Sequence, residues 1–258
     1  MKREFFLILF LITSVGACGP DLNPQKYLIK SLLISSYEEY TFQYAGDRVQ
    51  KLAGTDSISL VYTYYRDSTA IKQYNKSGKL TQRMQLVFSG SSLVKSKIKW
   101  QFARVWYKDS IQFAYTGGDM TNIVYKGANY FVTTQGGNII NMKRGIGLLS
   151  ASYSCSYDRI SNPMESVYWL DHFIQPNGST TTLQPQAIVR YFSRNNLVSS
   201  TAVVLGVTET QRFFYTYLHG ILPKTINYEI ENTKSKVTDL VYFFDMQYTP
   251  KNFASSTP

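Results

Sequence analysis

The sequence has few of the residues that build covalent scaffolds or metal centres. Of its 258 residues, two are cysteine and two are histidine. Two cysteines in a chain of this length exclude a disulfide-rich scaffold and a multi-cysteine zinc site. The sequence also lacks the HExxH and GxSxG motifs and the phosphate-binding glycine loop. We therefore expect no metal ion and no other cofactor.

Long apolar runs are scarce as well, except at the N-terminus. Residues 5–12 (FFLILFLI) are all apolar and follow the basic residues Lys2 and Arg3. This run is much shorter than the roughly 20 residues of a membrane-spanning helix. A basic start, a short apolar core and small residues before a cleavage point are the three parts of a secretory signal peptide. The alternative, a buried N-terminal helix or strand, is less favoured.

The small residues that follow contain a candidate lipidation site. Val15-Gly16-Ala17-Cys18 resembles the lipobox of bacterial lipoproteins, in which cleavage precedes a cysteine that carries a diacylglyceryl group. The resemblance implies cleavage between Ala17 and Cys18, with residues 1–17 as signal peptide and 18–25 as tether. Two or three acyl chains hold a protein stably on a membrane. We expect a lipid anchor at the cell envelope, in the outer membrane, on either its periplasmic or its surface face.

The second cysteine, Cys155, then has no partner within the chain. It lies between Ser154 and Ser156, and no histidine or lysine stands beside it in the sequence. A reactive thiol is activated by such a neighbour, whereas an inert one behaves as a small hydrophobic residue. We predict a buried, unreactive thiol.

The dominant period of the remaining chain is two. Around residues 94–106, Lys95, Lys97 and Lys99 alternate with Ile98 and Trp100. Such alternation is typical of a strand with one buried and one wet face. Further runs rich in Tyr, Phe, Val, Ile and Thr, separated by Gly, Asn and Asp turns, are predicted strands. They cover residues 37–44, 58–65, 82–88, 111–115, 186–192, 201–207, 213–218, 225–230 and 237–248.

These runs predict an all-β fold. Regularly spaced strands with intervening turns are typical of an antiparallel multi-stranded meander, a sandwich or a partly closed barrel-like sheet. Seven of the sixteen glycines lie between Gly117 and Gly147. We interpret residues 26–250 as a single β-rich domain with a loop-rich stretch near 117–147, followed by a tail at 251–258.

Several turns resemble those of a known repeat. Residues 74–81 (YNKSGKLT) and 44–49 (YAGDRV) resemble tyrosine–aspartate (YD) repeats, in which an aromatic residue closes a strand before a glycine turn. Residues 157–163, 193–197 and 220–224 resemble segments of a family of Bacteroidota lipoproteins of unknown function, described as having a porphyrin-like fold. The resemblance implies a mostly β fold at the envelope and brings no catalytic residues. In the best match, Asn75 stands where the repeat has aspartate.

A basic, aromatic segment is the main candidate for a ligand surface. The net charge is +10, and cations cluster with two tryptophans within a few residues. Such a stripe suits an acidic glycan or the phosphates of lipopolysaccharide, whereas export disfavours nucleic acid. The competing interpretation is a solvated strand face whose lysines block edge pairing. The predicted surface comprises Lys95, Lys97, Lys99, Trp100, Arg104 and Trp106.

Two alternatives involve chemistry. His172 and His219 are possible axial ligands for haem or porphyrin. A hydrolase would need converging acids, for which the candidates are Glu165, Asp171, Glu209 and Glu229. Because no sequence motif brings these residues together, catalysis is less favoured than binding.

Three short motifs suggest covalent sugars. Asp-Ser followed by Ile or Thr resembles the O-glycosylation acceptor of the same phylum, and it predicts sugars on Ser57, Ser68 and Ser110. Taken together, the sequence predicts an envelope-anchored lipoprotein that serves as a binding or structural module. Its expected partner is a glycan or another envelope protein.

Overall fold

The computed structural model describes residues 27–34, 38–55, 58–144, 151–162, 173–204, 206–220, 222–233 and 238–250. The predicted signal peptide, tether and tail lie outside these ranges. No helix within them has the length and hydropathy of a membrane span. The elements are β1 (Tyr27–Ile34), β2 (Glu38–Ala45), β3 (Arg48–Gly54), β4 (Ser59–Tyr64), β5 (Ser68–Tyr74), β6 (Leu80–Ser89), β7 (Ser92–Phe102), β8 (Val105–Thr116), β9 (Asp119–Tyr125), β10 (Ala128–Gln135), β11 (Asn138–Arg144), β12 (Ala151–Ser161), β13 (Ile174–Asn177), β14 (Thr180–Leu183), α1 (Pro185–Phe192), β15 (Asn195–Val204), β16 (Val207–Leu218), β17 (Leu222–Asn232) and β18 (Thr238–Pro250).

Sixteen of these strands form a closed antiparallel barrel. Strands β1 to β12 follow one another around the wall, β15 pairs with β12, and β15 to β18 complete the circuit. The barrel closes where β18 pairs with β1, with Tyr27 opposite Pro250. The all-β antiparallel prediction is therefore confirmed, and of its three architectures the barrel is the one formed, fully closed.

The apolar side of the wall faces inward. On β7, Ile98 and Trp100 are buried, while Lys97 and Lys99 between them are exposed. The same alternation occurs on the neighbouring strands, because successive side chains of a strand point to opposite faces. The hydrophobic core consequently lies in the lumen, and the outer wall carries the polar residues.

An inner segment, residues 173–193, runs through this lumen. Its last residue precedes β15, which begins beside the end of β12; we call this end of the barrel the lower end. At the upper end, where β7 turns into β8, the carbonyl of Gly178 accepts a hydrogen bond of 2.8 Å from Trp100 Nε1. The hydroxyl of Tyr125, at the upper end of β9, donates to the Thr181 carbonyl over 2.7 Å. Strand β13 therefore crosses the lumen, and β14 and α1 return.

Residues 186–192, predicted as a strand, belong instead to helix α1. Pro185 stands in its first turn, where its fixed φ suits a helix and its missing N–H is not needed. Ala187, Ile188, Val189 and Tyr191 are all buried, so the buried positions are not confined to one face of the helix. A short apolar run does not distinguish helix from strand by its period. The prediction was wrong because burial on several sides of α1 hides the helical stripe.

Tyrosines at the lower end connect neighbouring strands. Each uses its hydroxyl to donate a hydrogen bond to a backbone carbonyl of the strand that precedes it in the wall. The bonds are 2.6–2.9 Å long and join Tyr44 to Ile29, Tyr64 to Val49, Tyr115 to Leu93, Tyr157 to Ile139, Tyr215 to Leu197 and Tyr248 to Pro223. Several of these tyrosines directly follow a register shift, as Tyr44 and Tyr115 do. Tyr44 is one of these tyrosines, so the aromatic residue that precedes the glycine turn at 44–49 has a structural role.

We predict that removing one of these hydroxyls destabilises the barrel. Tyr215→Phe leaves the Leu197 carbonyl without its 2.8 Å partner, which should lower the free energy of unfolding by about 0.5–1.5 kcal/mol. The change in stability is measured as the shift in the midpoint of urea unfolding, and the m-value should stay unchanged. The control is Tyr65→Phe, because the Tyr65 ring is 61% exposed and the change there should be close to zero. Equal losses in both variants would contradict a specific role for the hydroxyl of Tyr215.

Cys155 is partly buried on the lumen side of β12, packed against the core. Burial raises the pKa of its thiol to about 11, and a hydrogen bond involving Tyr157 opposes the shift. The predicted unreactive thiol thus has a physical basis, although the side chain is less buried than the sequence suggested.

The raised pKa predicts slow alkylation of Cys155. At pH 8 the folded protein should hold about a hundredfold less thiolate at this position than an unfolded chain, and the rate should rise up to about pH 11. Iodoacetamide labelling of the Cys18→Ser variant, followed by intact mass, measures this one thiol. A folded-state rate at pH 8 equal to that in urea would contradict the assignment.

Candidate functional site: a basic groove on the outer wall

Five cations and one valine, on six consecutive strands, lie in one row across the outer wall. Lys51 on β3 pairs with Val61 on β4, and Val61 pairs with Lys72 on β5. The register continues through β6, β7 and β8, always between directly opposite residues. We call this set the basic row. Its members are Lys51, Val61, Lys72, Arg83, Lys99 and Lys108.

A groove of about 480 Å³ lies along the middle of the basic row. Its floor is formed by the short side chains of Ser68 and Ala70 on β5, which leave space between longer neighbours. Long side chains from three strands form its sides. They are Lys72, Arg83, Gln85, Lys97 and Lys99.

The lining of the groove is positively charged. Among the residues that the structure describes, no acidic side chain lines it. Asp109, next to Lys108, turns into the lumen, where it accepts a hydrogen bond from Thr181 and lies 3.8 Å from Lys126. Like charges directly opposite on adjacent strands repel one another. The groove therefore concentrates cations in one place, at a cost to the folded state.

Edge protection does not explain these lysines. Lysine commonly blocks unwanted pairing at the free edge of a sheet. Here β7 pairs with β6 through Lys99 and with β8 through Lys95, and the barrel is closed. The edge-blocking part of the competing interpretation therefore does not apply, because β7 has a partner on either side, whereas its other part, a solvated strand face, is untouched by this finding.

Two exposed aromatic rings stand beside the cations. Tyr65 is 61% exposed and lines the groove toward the lower end. Trp106 is 44% exposed, and the Arg83 guanidinium lies 5.8 Å from the centre of its ring. Exposed aromatic faces stack on flat apolar groups, including the apolar face of a sugar ring. The surface therefore offers charge and stacking together.

The structure divides the ligand surface predicted from the sequence. Lys95, Lys97 and Lys99 share the outer face of β7, and Trp106 stands on the next strand. Trp100 does not belong to this surface. It is 5% exposed, stacks on Tyr107 and donates its indole N–H to the inner segment. In the sequence, Trp100 alternates with the lysines, and this alternation already placed it on the opposite face of the strand.

Arg104 also lies apart from the groove. It occupies the β7–β8 turn at the upper end with a positive φ of 67°. The sequence reasoning missed Lys72 and Arg83, which line the groove from β5 and β6. They are distant from Lys99 in sequence, and the strand register that aligns them is not visible in a single strand.

Within the described residues, the candidate haem ligands and candidate acids do not assemble into a site. His219 is exposed in the β16–β17 turn, with a positive φ of 52°, while His172 lies outside the described residues. Glu209 faces the lumen beside Gln211, whereas Glu229 pairs with Arg212 on the outer wall. These two acids therefore stand on opposite faces and cannot form a catalytic pair with each other.

The other candidate acids, Glu165 and Asp171, lie outside the described residues. Within the described part of the chain, no group of three His, Cys, Asp or Glu side chains is arranged to hold a metal ion.

The predicted glycosylation sites have different surroundings. Ser68 lines the groove, so a sugar attached there would occupy it. Ser110 stands opposite Lys97 on β8, and Ser57 lies outside the described residues. Modification of these serines stays a prediction.

No protein-family model and no curated protein matches the chain. Its fold is similar to that of a porin-like protein from Bacteroides uniformis, with a TM-score of 0.56, 9% sequence identity, and coverage of 86% of this chain and 96% of that one. A porin-like protein from Bacteroides vulgatus gives a TM-score of 0.48 at 12% identity, covering 86% of this chain and 99% of that one. The resemblance to YD-repeat lipoproteins stays a prediction. The first likeness shows a porin-like β-barrel fold.

Proposed function

We propose that this protein is an envelope-anchored binding module whose groove on the outer wall binds an acidic glycan. The observation that supports it most directly is the basic row, with five cations in cross-strand register and no acidic residue among them. A fold gains nothing from placing like charges opposite one another, so an anionic partner is the simplest reason for the arrangement.

The exposure of these cations favours a polymer over a small metabolite. Lys72, Arg83, Lys97 and Lys99 are exposed, and an exposed ion pair contributes only about 0.2–1 kcal/mol. A metabolite with one or two charges would gain little, whereas a polymer engages several cations at once. Tyr65 and Trp106 add exposed aromatic faces on which sugar rings can stack. A purely ionic partner would make no use of these faces.

The outer wall suits water rather than lipid. A barrel embedded in a membrane presents an outward apolar band about 25 Å tall, bordered by aromatic girdles. Here the outward positions of the described strands are mostly Lys, Ser, Thr, Asn and Gln, and large apolar side chains such as Phe131 and Phe214 stand singly. We infer that the barrel stands beside the membrane and that a lipid on Cys18 supplies the attachment.

The filled lumen favours binding over transport. The inner segment crosses it, and Phe173, Ile188 and Tyr191 are each at most 2% exposed there. Phe113 on the wall packs against Phe173, with ring centres 5.4 Å apart. The groove on the outer wall is accordingly the better place for a ligand.

Loss of the lipid should release the whole protein. Expressed in its native membrane, the wild-type protein should partition into the detergent phase, and Cys18→Ser should move to the aqueous phase. Intact mass should show a lipid surplus on the wild type alone. A Cys18→Ser protein that stays in the membrane fraction would show that another part of the chain holds it there.

Charge reversal in the groove should weaken glycan binding. With an oligogalacturonide as probe at low ionic strength, Lys97→Glu combined with Lys99→Glu should lower the affinity by about tenfold or more. The matched control reverses Lys143 and Lys224, which are exposed on β11 and β17 away from the groove. The control should change affinity by less than about twofold, and neutral dextran should not bind.

The affinity of both double variants is measured by titration calorimetry. The two variants have the same net charge, so any difference in affinity comes from the position of the charges. If the control loses as much affinity as the groove variant, the binding reflects overall charge, and the groove has no special role.

A further inference from the structure

We propose that the glycan lies across the strands, along the basic row, and that its preferred form is a linear polysaccharide with one anionic group on every sugar. This inference rests on the proposed function and specifies the ligand within it. It follows from the spacing of the cations along the basic row.

The spacing of the basic row sets the repeat of the ligand. Adjacent strands are about 4.8 Å apart, so Lys72, Arg83, Lys99 and Lys108 present a cation at about that interval. A linear polysaccharide advances by about the length of one sugar ring per residue, which is close to the strand spacing. A chain with a carboxylate on each sugar can therefore place one anion near each cation without stretching or coiling.

A ligand lying along a strand would meet fewer charges. On β7 the outward lysines are two residues apart, or about 7 Å. That direction offers Lys95, Lys97 and Lys99 and then ends at Gln101, toward the upper end of β7. The row across the strands offers five cations, and it passes Trp106, whose ring the Arg83 guanidinium covers. The cross-strand direction therefore gives a longer and more regular array.

Val61 interrupts the basic row and makes the direction testable. It is half-buried on the outer wall and stands directly opposite both Lys51 and Lys72. A lysine there would complete six consecutive cations. Ser59, two residues before Val61 on β4, also faces outward and pairs with Ala53 and Tyr74, neither of which lines the groove. A lysine at 59 therefore adds the same charge outside both the row and the groove.

The experiment compares Val61→Lys with Ser59→Lys. The probes are oligogalacturonides of two to eight sugars, measured by titration calorimetry at low ionic strength. For chains of six sugars or more, Val61→Lys should raise the affinity about two- to fivefold, and Ser59→Lys should leave it nearly unchanged. Affinity of the wild type should rise with length up to about six sugars, because the row crosses six strands.

A second variant guards against misfolding at the half-buried position 61. Lys108→Gln removes the exposed last cation of the basic row, and it should weaken binding of long chains while leaving the disaccharide unaffected. Equal gains from Val61→Lys and Ser59→Lys, or affinity that stops rising at three sugars, would overturn the cross-strand direction. If the wild type binds no oligogalacturonide of any length, the proposed function itself fails.

Discussion

Closure of the backbone hydrogen-bond ladder is the constraint on which the rest of the structure depends. Pairing of β1 with β18 gives the first and last described strands a partner on each side. Once the ladder is closed, each wall residue away from a bulge faces either the lumen or the outside, and a register slip by one residue would exchange the two faces. Both the apolar core and the basic row depend on this fixed register.

The width of the barrel explains the inner segment. Barrels of 16 to 18 strands are wide enough to leave a channel if nothing fills them. Here wall side chains alone do not form the core; Phe113 packs on Phe173 and Phe192, which come from the inner segment. Because a helix and a ribbon of two strands fill the lumen, burial is completed inside, and the outer wall is free to carry charge.

Local patterns in the sequence predicted about half of the sixteen wall strands and one face of the site. The stretch near 117–147, interpreted as loop-rich because of its glycines, holds β9, β10 and β11 instead. Alternation along β7 placed Lys97 and Lys99 outside and identified the all-β class. The same pattern was misread at Trp100, whose parity with Ile98 indicated the lumen. The groove itself was beyond prediction, because Lys72, Arg83 and Lys99 meet through the registers of β5–β6 and β6–β7. Nothing within any single strand encodes which residue of the next strand it opposes.

The basic row would link the stability of the barrel to the binding of the proposed polyanion. Its three directly opposed pairs of cations, from Lys72 to Lys108, each destabilise the fold by about a few tenths of a kcal/mol or more. That sum is noticeable against the roughly 5–15 kcal/mol that keep a domain folded. A bound polyanion would remove the repulsion and stabilise the folded state by mass action. The same charges that destabilise the free barrel would therefore favour a complex with a polyanion. For this reason, the alignment of the cations argues for a ligand more strongly than their number does.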